Sequence, residues 1–153
     1  MQIVVDGEST DRTREIARVY ADKVISQRSE GICGARRDGV EASNGEILVF
    51  TDADTTHERH WLRVISEKLK RYDVSTGPIL FYDGNYKSNL LRIWRKIYVL
   101  FHLFEFYWLI GSNMAIKRET YQRIEGHRNI SLLEDFDYIG EDVQRRGRSP
   151  QVR

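Results

Sequence analysis

Two aspartates one residue apart, Asp52 and Asp54, follow the apolar run "ILVF". Carboxylate oxygens are the ligands that Mg²⁺ and Mn²⁺ prefer, and a cation held by two of them keeps positions open for phosphate oxygens. Such a cation would offset the negative charge of a diphosphate leaving group. A solvated Asp-Ala-Asp turn explains the same residues without any chemistry, and the spacing alone does not separate the two interpretations.

A second group of acids lies in the segment "EDFDYIGED", which contains five carboxylates between Glu134 and Asp142. A carboxylate at the mouth of a cleft can act as a general base towards an acceptor hydroxyl. The apolar residues of the segment have helical spacing, which predicts one buried helix face and leaves some of the acids to solvent. An exposed acidic helix face is therefore the simpler interpretation of the same pattern.

Two histidines, His57 and His60, follow the aspartate pair at a spacing that allows both to lie on one face of a helix. A zinc site would need further cysteine or histidine ligands nearby, and the sequence offers none. We therefore expect both histidines at the surface or at the rim of a cleft.

The elements that must position these residues alternate between strands and helices in the first half of the chain. The segments "QIVVD", "KVIS", "EILVFTD" and "VSTGPILFY" have strand character, and helical patterns lie between them. Such alternation predicts an α/β fold with right-handed βαβ units and a largely parallel sheet. Because ligands bind beyond the carboxyl ends of parallel strands, Asp6, Asp52 and Asp54 should face the same edge.

Helical patterns include "STDRTREIARVYAD", with apolar Ile16, Val19 and Tyr20, and a short helix over "GARRDGVEAS". A clear amphipathic helix is predicted in "HERHWLRVISEKLKRY", with an apolar face formed by Trp61, Leu62, Ile65 and Leu69. Later segments predict a long helix over 90–110, a strand in "GSNMAIKRE", and a short helix in "ETYQRIEG" that Gly126 closes.

The length of 153 residues predicts one domain over residues 1–147, followed by a basic tail over 148–153. The net charge of the chain is +1. This charge balance gives no general attraction for nucleic acid, so no partner of that class is expected. Cys33 is the single cysteine, which excludes an internal disulfide and favours a reducing compartment, the cytoplasm.

The longest apolar stretch, residues 97–110, is interrupted by His102 and Glu105 and has 14 residues. A membrane-spanning helix needs about 20, so the stretch is too short to cross a bilayer. Basic residues precede a belt of Trp, Tyr and Phe, which suits either a core helix or a helix lying on the cytoplasmic face of a membrane. Peripheral membrane contact is therefore an open alternative.

Taken together, four segments in order resemble family 2 glycosyltransferases with the GT-A fold, a Rossmann-like, mainly parallel sheet flanked by helices. "VVDGESTDRT" resembles the nucleotide-binding turn V-V-D-D-G-S-T-D, and "GARRDGVEASNGEILVFTDAD" resembles the segment that leads to the family's D-x-D motif. "GSNMAIKRETYQRIEG" resembles the later glycine-rich strand and helix, and "LEDFD" resembles the E-D motif. The resemblance spans residues 2 to about 147.

The resemblance implies roles for individual residues. Asp6 would face the base or ribose of the nucleotide, and Arg36 and Asn113 would lie at the nucleotide-sugar site. Asp52 would contact the ribose or the metal, and Asp54 would ligate Mn²⁺ or Mg²⁺.

The E-D motif would supply the catalytic groups, with Asp135 as the general base and Glu134 beside it. The implied reaction is an inverting displacement that moves a sugar from a nucleotide-diphosphate sugar to a hydroxyl acceptor, which could be lipid-linked.

The sequence departs from the family pattern at several positions. The usual second aspartate of the first turn is missing, since Gly7 and Glu8 follow Asp6, and Arg37 replaces the asparagine of A-R-N. Glu141 stands where an arginine often follows the E-D motif. The processive motif Q-x-x-R-W is absent, which argues against a processive polymerase.

Family members usually begin with an earlier strand and helix, and the resemblance implies that this chain lacks them. We therefore expect an unpaired interior sheet edge, with poor solubility or pairing with another chain. A non-catalytic, truncated homologue that acts as a binding or membrane-associated partner is the alternative function, and nucleotidyl transfer is a third.

Overall fold

The computed structural model describes residues 1–77 and 111–127, and these form an α/β arrangement. The strands are β1 (Ile3–Asp6), β2 (Lys23–Ser26), β3 (Ile47–Phe50), β4 (Val74–Thr76) and β5 (Met114–Lys117). The helices are α1 (Thr13–Tyr20), α2 (Gly31–Glu41), α3 (Trp61–Leu69) and α4 (Arg118–Arg123). A short 3₁₀ helix, Gly111–Asn113, leads directly into β5.

The described strands form a parallel pair, β1 with β2, and a three-stranded sheet in the order β3-β5-β4. Ile3 lies opposite Lys23 in the parallel pair. In the second sheet β5 runs antiparallel to both neighbours, with Met114 opposite Phe50 on one side and Thr76 on the other. Strands β3 and β4 therefore run in the same direction. Both end at the edge of the sheet where β5 begins.

The core lies around β5, which has a neighbour on each side. Ala115 and Ile116 are completely buried there. Ile116 belongs to an apolar cluster with residues of β3, β4, α2 and the helix after β5, namely Val40, Leu48, Phe50, Val74, Met114, Tyr121 and Ile124. Ala115, on the opposite face of the sheet, contacts Ile65 and Leu69 of α3. The second sheet is thus covered on both faces.

Helix α2 connects the two sheets. It packs against β1, and its Val40 lies in the cluster that contains Leu48 and Phe50 of β3. Gly39 lies so close to Val5 that a Cβ on it would be 3.2 Å from the valine Cγ2. The same helix therefore fixes the end of β1 and the end of β3 relative to each other.

The strands and helices that were predicted in the described residues are present, but two apolar faces differ from expectation. Leu62 is 60% exposed, because only the positions that follow Trp61 by four and eight residues, Ile65 and Leu69, are turned to the sheet. The large apolar residues of α1, Ile16, Val19 and Tyr20, are also exposed, and the partly buried residues of that helix are Arg14 and Ala17.

The predicted aromatic helix over 90–110 and the acid-rich segment after residue 127 lie outside the described residues. Among the helices in the described part of the chain, none has the length and apolar character needed to cross a membrane.

Candidate functional site

The candidate site lies where β3 and β4 end and β5 begins. Because Met114 is paired with Phe50 and with Thr76, the residues just before β5 lie beside the residues just after β3 and β4. Thr76 Oγ1 donates a hydrogen bond of 3.0 Å to the carbonyl oxygen of Asn113, which ties this edge together. The D-x-D segment and the 3₁₀ helix are therefore neighbours in space.

Asp52 is paired with Arg36, which comes from α2. Arg36 Nη2 lies 3.3 Å from Asp52 Oδ1, and the arginine side chain is 11% exposed while that of the aspartate is 47% exposed. The guanidinium packs directly on Gly111, where a Cβ would clash with it. A mostly buried cation thus orients a carboxylate whose other side faces solvent.

Asp54 is exposed, and its carboxylate makes no hydrogen bond or ion pair with the residues that the structure describes. The backbone between the two aspartates forms a tight turn, in which Thr55 N–H donates to the Asp52 carbonyl at 3.2 Å. Within the described ranges no three His, Cys, Asp or Glu residues converge as a metal site would require. Two exposed hard oxygen donors suit a divalent cation whose remaining ligands come from water and a diphosphate.

The loop that carries Asp52 and Asp54 is anchored at both ends. Thr51 Oγ1 and His57 Nε2 are 2.5 Å apart, and the imidazole stacks on Trp61 with ring centroids 3.5 Å apart and planes at 9°. Trp61 Nε1–H donates to Asn113 Oδ1 at 2.9 Å. His57 is therefore half-buried beside the loop, which agrees with the rim of a cleft, one of the two expected places, and burial lowers its pKa. His60 is exposed, as expected.

Asp6 ends β1 and is 3% exposed. Its Oδ2 accepts a hydrogen bond of 3.2 Å from the Ser9 N–H, which belongs to the turn after the strand. That turn passes through Glu8, whose φ of 64° lies in the left-handed region that favours glycine. Among the described residues Asp6 Oδ1 has no hydrogen-bond partner. A buried carboxylate oxygen of this kind suits the N–H or O–H of a ligand, because leaving it unpaired is costly.

Arg14 was not identified from the sequence, although it faces the Asp6 carboxylate. Its Nε lies 3.7 Å from Asp6 Oδ2, and its Nη2 donates to Ser26 Oγ at 3.0 Å. The first turn of α1 places Arg14 there, since the helix begins close to the end of β1. A basic residue in the first turn of a helix that follows an acid-ended strand is the sequence pattern that could have identified it.

Helix α2, which carries Arg36, is fixed at its start by Asp38. This carboxylate is 1% exposed and accepts hydrogen bonds from the backbone N–H groups of Arg28 and Ser29, at 2.5 and 3.0 Å, and from Ser29 Oγ at 2.9 Å. These bonds, led by those from the backbone, lower the pKa of Asp38. Gly34 permits the close approach, because a Cβ there would be 2.5 Å from the Ser29 carbonyl oxygen.

An aromatic cluster lies behind the end of β3. The His127 ring packs edge-on against Phe50 at a centroid distance of 4.9 Å, and its Nδ1 is 3.0 Å from the Tyr121 hydroxyl. The Tyr121 oxygen also accepts the His127 backbone N–H at 3.2 Å. Burial, helped by the positive charge of Arg36, lowers the pKa of His127 to about 4, and burial raises the pKa of Tyr121.

The structure thus joins Arg36 with Asp52 and places Asn113 beside the D-x-D loop. Asp6 lies at the end of β1, where its side chain is bonded to Ser9 and paired with Arg14, and it makes no hydrogen bond or ion pair with Asp52 or Asn113. The expected catalytic residues, Asp135 and Glu134, lie outside the described residues.

Comparison with known proteins places these elements in a family. The sequence profile described as Glycosyl transferase family 2 matches residues 2–126. Glycosyltransferase AglE of Haloferax volcanii is 38% identical over 66 residues, which are 39% of this chain and 22% of that protein. Glycosyltransferase GlyA of Streptococcus pneumoniae is 22% identical over 130 residues, 80% of this chain and 18% of that protein.

A further relative is the dolichyl-phosphate hexose transferase of Haloferax volcanii, which is 29% identical over 139 residues, 85% of this chain and 59% of that protein. The chain thus spans only about a fifth of the length of AglE and GlyA. The family match covers most of the chain and agrees with the α/β architecture, so the expected GT-A fold is confirmed. The chain belongs to glycosyl transferase family 2.

Proposed function

We propose that the chain is a metal-dependent, inverting glycosyltransferase that moves a sugar from a nucleotide-diphosphate sugar to a hydroxyl acceptor. The observation that carries this proposal is the pair Asp52 and Asp54, which lie in an exposed turn at the carboxyl end of β3. Membership of the family supports a sugar-transfer reaction over the other activities considered for the sequence.

In the proposed site Asp54 and Asp52 would hold Mn²⁺ or Mg²⁺, and the cation would stabilise the charge of the leaving diphosphate. With respect to the part of the chain that the structure describes, both carboxylate oxygens of Asp54 are available, and Asp52 keeps one oxygen beyond the one that faces Arg36. Arg36 prevents Asp52 from rotating freely, which favours a fixed ligand geometry over a flexible one.

The nucleotide is proposed to lie between the ends of β1 and β3. Asp6 Oδ1, buried and without a donor among the described residues, would accept a hydrogen bond from the base or the ribose. Asn113 would border the sugar, with its Oδ1 engaged by Trp61 and its Nδ2 directed past Gly77, where a Cβ would be 2.8 Å from that nitrogen.

Asp135 is proposed as the general base that removes the proton of the acceptor hydroxyl, with Glu134 beside it, and this assignment rests on the resemblance of "LEDFD" to the E-D motif. A lipid-linked acceptor is supported by the name of one relative, a dolichyl-phosphate hexose transferase. Peripheral contact of the aromatic segment with a membrane would suit such an acceptor.

The test is calorimetric titration of UDP and of GDP into the purified chain, with and without Mn²⁺. We expect one nucleotide to bind only with Mn²⁺, and Asp54→Asn to abolish that binding. Asp22→Asn is a matched control, because Asp22 is an exposed aspartate on the opposite, amino-terminal side of β2.

Equal nucleotide affinity with and without Mn²⁺ would refute the metal-dependent site. A folded chain that binds neither nucleotide would favour the alternative of a non-catalytic homologue. The unfolding midpoint of each variant, measured by circular dichroism, separates loss of the site from loss of the fold.

A further inference from the structure

The loop that carries the two aspartates is closed by a side-chain contact between residues on either side of it. Thr51 precedes Asp52 and His57 follows Asp54, and the hydroxyl and imidazole of the two flanking residues are 2.5 Å apart. Closing a loop in this way removes conformations that the segment would otherwise sample. The residues whose conformational freedom is reduced are the five in between, 52–56.

His57 is itself held from the other side. Its ring lies flat on Trp61, with 3.5 Å between centroids, and Trp61 packs against the buried Ile65, Leu69 and Ala115 cluster. The indole N–H is bonded to Asn113, which stands at the start of β5. The loop is thus connected through two aromatic rings to the most deeply buried strand of the sheet.

The other hydrogen bonds of this loop with the described residues are local. Thr55 N–H and Thr51 Oγ1 donate to the Asp52 carbonyl oxygen at 3.2 and 3.3 Å, and neither bond reaches beyond the loop and its first neighbour. Among the described residues, the side chains of Asp54 and Thr56 are exposed and make no hydrogen bond, and the Asp52 carboxylate is held on the side of Arg36 alone. Without the contact between Thr51 and His57, the second aspartate would be attached to the fold only through the backbone of an exposed turn.

We propose that His57 and Trp61 are positioning residues that hold the Asp52–Asp54 loop in its binding conformation. The proposal rests on the function proposed above, since the bound species is a cation with a nucleotide diphosphate. Neither ring is proposed to touch the reacting atoms. Their contribution is preorganisation, which strengthens binding because less conformational freedom is lost when the ligand arrives.

The experiment compares three threonine variants of the full chain. Thr51→Val removes the hydroxyl that contacts His57 Nε2 and, at 3.3 Å, the Asp52 carbonyl oxygen, and it keeps the shape of the side chain, whereas Thr51→Ser keeps the hydroxyl. Thr56→Val makes the same chemical change at an exposed residue of the same loop whose side chain has no partner in residues 1–77 and 111–127. Trp61→Phe keeps a ring beneath His57 and removes the N–H that Asn113 accepts.

Two quantities are measured for each variant: hydrogen exchange of the amides of residues 52–56 without ligand, and the affinity for UDP or GDP with and without Mn²⁺. Thr51→Val and Trp61→Phe are each expected to speed exchange and to weaken Mn²⁺-dependent binding about threefold to tenfold, the range set by one net hydrogen bond. Thr51→Ser and Thr56→Val are expected to stay within about twofold of the original chain.

Unchanged exchange in Thr51→Val relative to Thr56→Val would overturn the proposal, whatever the nucleotide affinity. Faster exchange with unchanged Mn²⁺-dependent affinity would also overturn it, since the loop would then not need to be positioned. Failure of the original chain to bind either nucleotide with Mn²⁺ would instead refute the proposed function and the ligand-binding part of this inference. The exchange comparison still tests the loop closure in that case.

Discussion

Protonation of His127 should destabilise the fold as the pH falls below neutrality. The imidazole is buried beside Phe50, and its Nδ1 is placed to accept the Tyr121 hydroxyl proton. The Tyr121 oxygen already accepts the His127 backbone N–H, so its own proton is available for Nδ1. A protonated ring would lose that acceptor and would bring a second positive charge towards Arg36.

The size of the effect follows from the lowered pKa of His127, which burial and then Arg36 bring from the ordinary value of 6.5 to about 4. The unfolded chain takes up a proton below pH 6.5, whereas the native chain does so only near pH 4. Stability is therefore complete above pH 6.5 and falls between pH 6.5 and pH 4. Each tenfold difference in proton affinity is worth about 1.4 kcal/mol, so the loss reaches roughly 2 kcal/mol at pH 5 and about 3 kcal/mol below pH 4.

Urea unfolding at pH 7.5 and pH 5.0 measures this loss directly. His127→Phe keeps an aromatic ring against Phe50 and cannot be protonated, so its free energy of unfolding should fall by about 2 kcal/mol less than that of the original chain over this range. His60→Gln changes an exposed histidine and should leave the pH dependence as it was. If His127→Phe and the original chain lose equal stability, His127 is not the group whose proton uptake drives unfolding, and the reasoning is wrong.

Two further predictions concern packing at the site and in the core. Gly111→Ala should displace the Arg36 guanidinium from Asp52, because a Cβ at position 111 clashes with it, and should weaken Mn²⁺-dependent nucleotide binding in calorimetric titration; unchanged affinity would show that the ion pair is dispensable. Ile116→Ala should lower the free energy of unfolding by about 2–5 kcal/mol in urea titration, because the side chain is fully buried. Ile16→Ala, at a position that is 52% exposed, should change it by less than about 0.5 kcal/mol, and similar losses for both would contradict the assigned core.

The sequence predicts the elements of this fold well because their patterns are local. The β-branched run that ends at Asp6 and the run "ILVF" before Asp52 are strands, as their composition indicates. The four-residue spacing of Ile65 and Leu69 predicts helix α3, and the structure shows both side chains buried. The pattern that identifies the aspartate pair is local as well, since the pair directly follows a predicted strand.

The arrangement of the site is less predictable because it depends on contacts between distant residues. The indole of Trp61 was assigned to an apolar helix face, and nothing in the sequence indicates that its N–H meets an amide 52 positions away. In the sequence Asp38 looks like an ordinary charged helix residue, although its carboxylate accepts the backbone N–H groups of Arg28 and Ser29, which precede α2. Exposure of Leu62 could not be predicted either, because helical spacing does not say how far an apolar face extends.

The direction of β5 explains why one half of the site follows strands and the other half precedes one. In a parallel sheet every ligand-facing residue comes after a strand, and this rule identifies Asp6 and Asp52. Strand β5 is antiparallel and lies between β3 and β4, so its beginning, not its end, reaches the same edge. Gly111 and Asn113 contact Arg36 and Trp61 for that reason. A search for site residues in an α/β chain should therefore include the residues that precede any strand inserted in the opposite direction.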